Sequence, residues 1–190
     1  MAKIQTSNMK FIPGDIEGLW IIEPTIHGDH RGYFFEGFRA DVFMEKTGFT
    51  EPFVQDNESK SSRGVLRGLH LQKPPMAQGK LVRVVQGAVL DIAVDIRKSS
   101  PTYGQHQMVL LNEENKRQFF VPPGFAHGFL TLEDDTIFQY KCTNYYSPEH
   151  ELGILWNDVD LNIQWEFNNP LISKRDADLD TFANFASPFA

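Results

Sequence analysis

The sequence predicts an all-β domain, a sandwich or a barrel, and three observations predict it. In 88–97, Leu90, Ile92, Val94 and Ile96 alternate with Val89, Asp91, Ala93, Asp95 and Arg97. Period two sends successive side chains to opposite faces, so this is a strand with one apolar face. Short strand-like runs recur at near-regular spacing, while helical periodicity is scarce. The length of 190 residues, with 41% apolar and 23% charged, fits one packed domain over 1–190 and argues against disorder.

Taken in order, 19–23 and 32–38 carry the aromatic and β-branched residues of strands. A short helix follows over 40–47, with Gly48 as its stop. Strands are expected over 53–57 and 65–72, then over 80–86, with Gly87 at the turn into 88–97. Further strands are 107–111, 118–121, 128–132 and 136–143, and a last helix covers 176–185. No internal repeat, linker, Rossmann glycine fingerprint or P-loop is present. Sixteen Phe is a high count, and Phe fills cores and lines pockets.

The formal net charge of −7 disfavours nucleic acid as a partner, because an acidic surface repels phosphate backbones. It leaves room for a local basic pocket that takes one phosphorylated small molecule. A single cysteine, Cys142, excludes a disulfide within the chain and argues against a cysteine-based zinc site. The first residues lack the apolar stretch of a signal peptide, and no run approaches the roughly 20 apolar residues of a membrane span. A cytoplasmic protein without a membrane partner is the expectation.

Four constellations hold residues suited to chemistry. Arg63-Gly64-Val65-Leu66-Arg67-Gly68-Leu69-His70 puts two arginines and a histidine on or beside one strand. Burying them costs free energy unless they are paired, and Gly68 allows a ligand or another backbone to approach closely. The plain alternative is a satisfied histidine with two surface arginines. Pro122-Pro123-Gly124 turns the chain just before His127, as similar turns do in cupin barrels. Phe138, Tyr140 and Cys142 share one face of a strand, where Tyr140 is either a core phenol or a general acid. Ser173-Lys174-Arg175-Asp176 reads as a solvated run in which Asp176 could cap the last helix.

Together these segments resemble the dTDP-4-dehydrorhamnose 3,5-epimerase family over nearly the whole chain. The resemblance is carried by GDHRGYFFE (28–36), VQDN (54–57), RGVLRGLHLQ (63–72), GKLVRVVQG (79–87), DIAVDIRKSSPTYG (91–104), ENKRQFFVPPGFAHGF (114–129), YKCTNYYSPEHELGI (140–154) and SKRD (173–176). It implies a cupin-type jelly-roll β-barrel with a few short helices, working as a homodimer. It implies inversion of C3 and C5 in a dTDP-linked 4-keto-6-deoxyhexose, with rhamnose supply for a surface polysaccharide as the usual context. It implies no metal and no organic cofactor.

By position, the resemblance makes His70 the base, Asp176 its partner, Tyr140 the acid on the opposite face, and Lys80 the group near the C4 oxygen. It makes Arg31, Glu36, Gln55, Asp56, Asn57, Arg67, His127, Glu151 and Arg175 substrate contacts, and Tyr146 the ring that stacks on thymine. The residue types suit the reaction. A neutral imidazole is a base near pH 7. A carboxylate on its far nitrogen fixes the tautomer, an ammonium stabilises the enolate, and arginine forks suit a diphosphate. Metal-binding cupins usually carry His-x-His on the strand where this chain has His70-Leu71-Gln72, and two dispersed histidines are too few for a transition-metal site.

Two features strain this reading. Arg67 and His70 are three apart, so strict alternation puts them on opposite faces; either a bulge at Gly68 re-aims one, or Arg67 reaches from the rim or a neighbouring subunit. Arg175 stands where the family often has lysine, which keeps the charge and changes the donor geometry. Alternatives are a single-centre 3- or 5-epimerase or ketoisomerase on a related dTDP-sugar, a catalytically silent sugar-nucleotide binder, and a metal-dependent oxygenase. For the homodimer, 9–24 is the segment expected to pair with a partner sheet, because an exposed sheet edge is a liability.

Overall fold

A computed structural model describes residues 9–190. Its strands, in chain order, are β1 (Lys10–Pro13), β2 (Trp20–Glu23), β3 (His27–Asp29), β4 (Gly32–Phe34), β5 (Gln55–Ser61), β6 (Leu66–Gln72), β7 (Lys80–Gln86), β8 (Ala88–Asp95), β9 (His106–Asn112), β10 (Gln118–Val121), β11 (Phe125–Thr131), β12 (Thr136–Cys142) and β13 (Glu151–Gly153). The helices are α1 (Ala40–Thr47) and α2 (Lys174–Ala177). Six strands form one antiparallel sheet in the order β1-β2-β10-β7-β12-β5, and five form a second in the order β13-β6-β11-β8-β9. The sheets pack face to face as a jelly roll, as an all-β reading requires. Among the described residues no helix is long and apolar enough to cross a membrane.

Each sheet is buried on both faces. Between them lie Val82, Val84, Phe119, Val121 and Phe138 from one sheet, and Val89, Ala93, Val109, Leu111 and Phe129 from the other. The outer face of the five-stranded sheet, with Leu66, Ile92, Val94 and Leu130, is covered by Ile154, Leu161, Trp165 and Phe182 of the C-terminal segment. The outer face of the six-stranded sheet, with Ile22, Leu81 and Phe120, is covered by Phe43 of α1 and by Phe38, Phe49 and Phe53. The high Phe content supplies these covers. Phe43 and Phe120 meet edge to face at 4.9 Å, a favourable aromatic geometry.

This corrects the reading of 88–97. Its alternation is real, but Ile92 and Val94 point outward under the C-terminal segment. The other face, with Val89, Asp91 and Ala93, is the barrel interior, and all three are fully buried. Gly87 does turn the chain at φ +76, but it carries it from one sheet to the other, and β7 and β8 do not pair. A side chain at Gly87 would collide with Thr136.

Other boundaries move for local reasons. The strand expected over 32–38 stops at Phe34: Phe35 stacks beside Tyr33 at 6.1 Å, and Phe38 turns in against Phe53 at 5.3 Å. The strand expected over 53–57 starts at Gln55 and runs to Ser61. That over 128–132 starts earlier, at Phe125. The helix over 176–185 reduces to α2 and a separate 3-10 turn, Phe182–Asn184, because Phe182 and Phe185 pack down on the sheet. Ser173 caps α2 by accepting from the Asp176 N–H, so Asp176 lies inside the helix and is not its cap. Strands β1, β3 and β13 have no strong periodic signal and were not expected; α1 matches its expected bounds, with Gly48 left-handed at φ 71.

Candidate active site

The two halves of the sandwich differ. Where β2, β10 and β7 lie over β8 and β9, the interior is apolar. Where β12 and β5 face β6 and β13, it opens into a polar cleft. Two adjoining cavities, about 380 and 350 Å³, form this cleft and share His70, Lys80 and Tyr140.

Strand β5 explains the polarity. Its sequence Gln55-Asp56-Asn57-Glu58-Ser59-Lys60-Ser61 has no apolar residue, yet burial alternates along it. Gln55, Asn57 and Ser59 line the cleft. Gln55 Nε2 donates to Asn57 Oδ1 at 3.0 Å, and Asn57 Nδ2 reaches Cys142 Sγ at 3.6 Å. Asp56 points the other way, where Lys141 Nζ pairs with it at 2.9 Å beside a separate cavity of about 610 Å³ on the outer face. The expectation of a substrate contact at Asp56 therefore fails for this cleft, because alternation carries it to the outside of the sheet.

On the opposite wall, β6 brings Arg67 and His70 to the same face. His127 pairs with His70 and Phe129 with Arg67, so three steps on β6 match two on β11. The extra residue is a bulge at Gly68. Gly68 has φ +130, and a Cβ there would lie 2.7 Å from Gly128 Cα. Glycine lets β6 and β11 close up at the bulge, and the bulge resolves the parity problem within one chain. Arg67 Nη2 donates to Ser61 Oγ at 3.2 Å, which holds the guanidinium across the cleft mouth.

His70 Nε2 lies 2.8 Å from Asp176 Oδ1, across 106 residues of sequence. Asp176 Oδ2 also accepts the Gly68 N–H at 3.2 Å. Burial works to raise the Asp176 pKa, but the His70 bond and charge and the Gly68 N–H outweigh it and hold the carboxyl below its ordinary value. A second pair stands beside the first. His127 Nε2 lies 2.9 and 3.1 Å from the two oxygens of Asp91, which is fully buried on β8. Here burial dominates and raises the Asp91 pKa despite His127 and Lys80.

The facing sheet contributes Lys80 and Tyr140. Burial pushes the Lys80 pKa down, opposed by Cys142, Glu151 and Asp91. Burial pushes the Tyr140 phenol up, with Cys142 next in effect, so it holds its proton. At the mouth, Glu151 accepts from the Tyr146 hydroxyl at 2.6 Å and pairs with Arg175 Nη2 at 2.5 Å. Burial would raise the Glu151 pKa, but Arg175 and Tyr146 hold it down.

Thus His70, Asp176, Lys80, Tyr140, Gln55, Asn57, Arg67, His127, Tyr146, Glu151 and Arg175 converge on one cleft. Arg31 and Glu36 do not line it. Arg31 pairs with Asp29 on the exposed ribbon of β3 and β4, and Glu36 lies just beyond, near Arg39. Sequence reading missed Asp91 and Ser61. Only Asp91 left a trace, as a charge inside a strand whose neighbours are apolar. Among the described residues, no three His, Cys, Asp or Glu side chains gather as metal ligands would.

A jelly roll whose cleft sets a histidine–carboxylate pair against a lysine and a protonated tyrosine defines an acid–base isomerase of the cupin type. The chain belongs to the dTDP-4-dehydrorhamnose 3,5-epimerase family, whose profile matches residues 13–184. It is 53% identical over 176 residues to the dTDP-4-dehydrorhamnose 3,5-epimerase of Shigella flexneri, covering 93% of this chain and 97% of that protein. It is similar to the crystal structure of the Legionella pneumophila dTDP-6-deoxy-D-glucose-3,5-epimerase in complex with dTDP-4-keto-L-rhamnose, with TM-score 0.91, 49% identity and coverage of 94% and 95%. A 3'-monoepimerase from Streptomyces bikiniensis in complex with dTDP-quinovose is also similar, with TM-score 0.86, 40% identity and coverage of 90% and 87%.

Proposed function

We propose that this chain converts dTDP-4-dehydro-6-deoxy-D-glucose to dTDP-4-dehydro-L-rhamnose by inverting C3 and C5, without metal or cofactor. The observation that carries the reading is His70 with Asp176 on one wall and Lys80 with Tyr140 on the other. The C4 ketone acidifies the hydrogens on C3 and C5. His70 takes one of them as a proton, the C–H electron pair forms a carbon–carbon double bond to C4, and the C4–O π pair moves onto the oxygen, giving an enolate. Lys80 stabilises the oxygen's charge. The Tyr140 hydroxyl gives its proton to the opposite face of the same carbon, which inverts it, and both groups then exchange protons with solvent. Asp176 keeps the His70 proton on Nε2, so Nδ1 is the basic nitrogen.

Arg67 and Arg175 suit the diphosphate, and Tyr146 suits the thymine ring. Gln55, Asn57, His127 and Glu151 are the remaining contacts. Arg31 and Glu36, outside their own cleft, serve the cleft of a second copy in a homodimer. The edge strand β1, inside the 9–24 segment, is available to pair with a partner sheet. The protein acts as one domain over 1–190 in the cytoplasm, where a single unpaired cysteine is at home.

Proton NMR of dTDP-4-keto-6-deoxyglucose in D2O tests this, with metal-stripped wild type beside His70→Ala. Deuterium at both C3 and C5 with wild type, and at neither with the variant, is expected. Label at one carbon only would make the protein a single-centre epimerase, the second reading, which the similarity to a 3'-monoepimerase favours. Label at neither carbon would reject the chemistry. Light scattering tests the dimer, and a monomer at micromolar concentration would reject it.

A further inference from the structure

The mechanism above leaves unused a buried carboxylate that stands directly behind the cleft wall. Asp91 has no exposed surface, lies on the interior face of β8, and among the described residues its side chain has a single hydrogen-bonding partner, His127. A carboxylate with so few protein donors is costly in a barrel core. An asparagine or an apolar residue would fill the same space on β8 without that cost. Its placement is specific in two ways. It grips a histidine that lines the cleft, and with Glu151 it is one of two carboxylates that act on the Lys80 ammonium.

We infer that Asp91 is a positioning residue for the epimerisation: it fixes the tautomer of His127 and supplies the buried counter-charge that keeps Lys80 an ammonium. The inference rests on the epimerase reading. Both Asp91 oxygens lie within hydrogen-bond distance of the one nitrogen, Nε2. A proton on Nε2 shared between two carboxylate oxygens fits that geometry; a protonated acid would favour one oxygen. Nδ1 of His127 is then bare, and the ring offers the sugar a hydrogen-bond acceptor. The charge has a separate effect. Among the described residues no hydrogen bond or close ion pair holds the Lys80 ammonium, so its proton depends on nearby charge.

The titratable groups around that ammonium come from every neighbouring element. They are His70 from β6, Asp91 from β8, His127 from β11, Tyr140 and Cys142 from β12, Glu151 from β13 and Asp176 from α2. Arg67 and Arg175 are the cations of the same walls. Asp176 is committed to His70 and Glu151 to Arg175. Of the two carboxylates whose charge acts on Lys80, Glu151 is held by Arg175 and Asp91 by no arginine or lysine, so Asp91 is the one left to balance the ammonium.

Asp91→Asn keeps the shape of the side chain and an oxygen for His127, and removes the charge. It should lower kcat about tenfold or more with little change in KM, because a weakened ammonium acts on the enolate and not on ground-state binding. The basic limb of the kcat–pH profile should move down by about one pH unit, because an ammonium that loses a negative neighbour gives up its proton more easily. Nitrogen-15 NMR of histidine-labelled wild type, assigned with His127→Gln, should show His127 protonated at Nε2 and bare at Nδ1. A variant with wild-type kcat and an unmoved basic limb would overturn the inference. So would the opposite tautomer in wild type, a result that stands even if the variant does not fold. Wild type that places no deuterium at C3 or C5 would instead reject the epimerase reading, and this inference with it.

Discussion

The cleft holds two histidine–aspartate pairs whose histidines lie on the adjacent strands β6 and β11, and they are not equivalent. His70 and Asp176 sit at the opening, with side chains 24% and 5% exposed; His127 and Asp91 sit deeper, at 7% and 0%. Asp176 also receives the Gly68 N–H and has its pKa held down, while Asp91 has only His127 and its pKa is raised by burial. Two identical residue pairs thus have opposite electrostatics, decided by access to solvent and by one extra donor. In the proposed reaction the outer pair takes and releases a proton. The inner pair is built to stay as it is.

The largest effects should come from breaking the outer pair. His70→Ala should lower kcat by about 10²–10⁴, the range of general-base catalysis, and Asp176→Asn should approach it by releasing the wrong tautomer. Single-turnover kinetics with a KM within a few-fold of wild type would support this; a pure KM effect would contradict it.

Gly68→Ala should disturb both pairs together. The new methyl would lie 2.7 Å from Gly128 Cα and 2.9 Å from the His127 carbonyl oxygen, at φ +130. Backbone strain of about 1–3 kcal/mol adds to that collision, so both denaturant stability and kcat should fall. A variant as stable as wild type would mean that β6 and β11 can separate without cost.

A third carboxylate sharpens the comparison. Asp95 lies on β8, on the same face as Asp91, and accepts from Arg97 N, Nε and Nη2 and from the Ser100 and Thr102 hydroxyls at 2.6–3.0 Å. Burial alone would raise its pKa, but these donors lower it to about 2. Its folded pKa is below its unfolded value of 3.8, so its stabilisation is present above that value and is lost as pH falls toward 2. That contribution is on the order of 2 kcal/mol. Asp95→Asn should lose about that much stability at pH 7, flatten the acid limb of unfolding between pH 4 and 2, and leave kcat near wild type. Urea melts across that range would check it.

The smallest effect belongs to the mouth. Arg175→Ala breaks the pair with Glu151, which leaves Arg175 half exposed even when formed. KM should rise by about tenfold or less with kcat little changed, as expected when an exposed contact to a bound anion is removed. A larger loss in kcat would mean that Arg175 helps to hold Asp176 in place through α2.

Much of this was legible in the chain. The alternation read over 88–97 holds along β8 as far as Asp95, though both of its faces are buried, and the shared face of Phe138, Tyr140 and Cys142 and the turn before His127 appear in the structure. Other features were hidden for definable reasons. Strand β5 shows no apolar period because its inner face lines a polar cleft. The sequence shows no role for Asp91 because alternation alone does not say which face of β8 is the barrel interior, and it is the face that carries Asp91. The strand register could not decide between a bulge and a rim position for Arg67, since both satisfy the same spacing.

By itself the sequence determined an all-β architecture, the supply of acid–base side chains and the family to which they belong. The first two follow from period two and from residue type, which are local, and the family follows from the ordered motifs that resemble it. The tertiary structure decided which partner each group received. Asp176 reaches His70 across 106 residues and Asp91 reaches His127 across 36. Such contacts are fixed by sheet order, by one bulge and by which face of a strand is covered, and local periodicity carries none of that information.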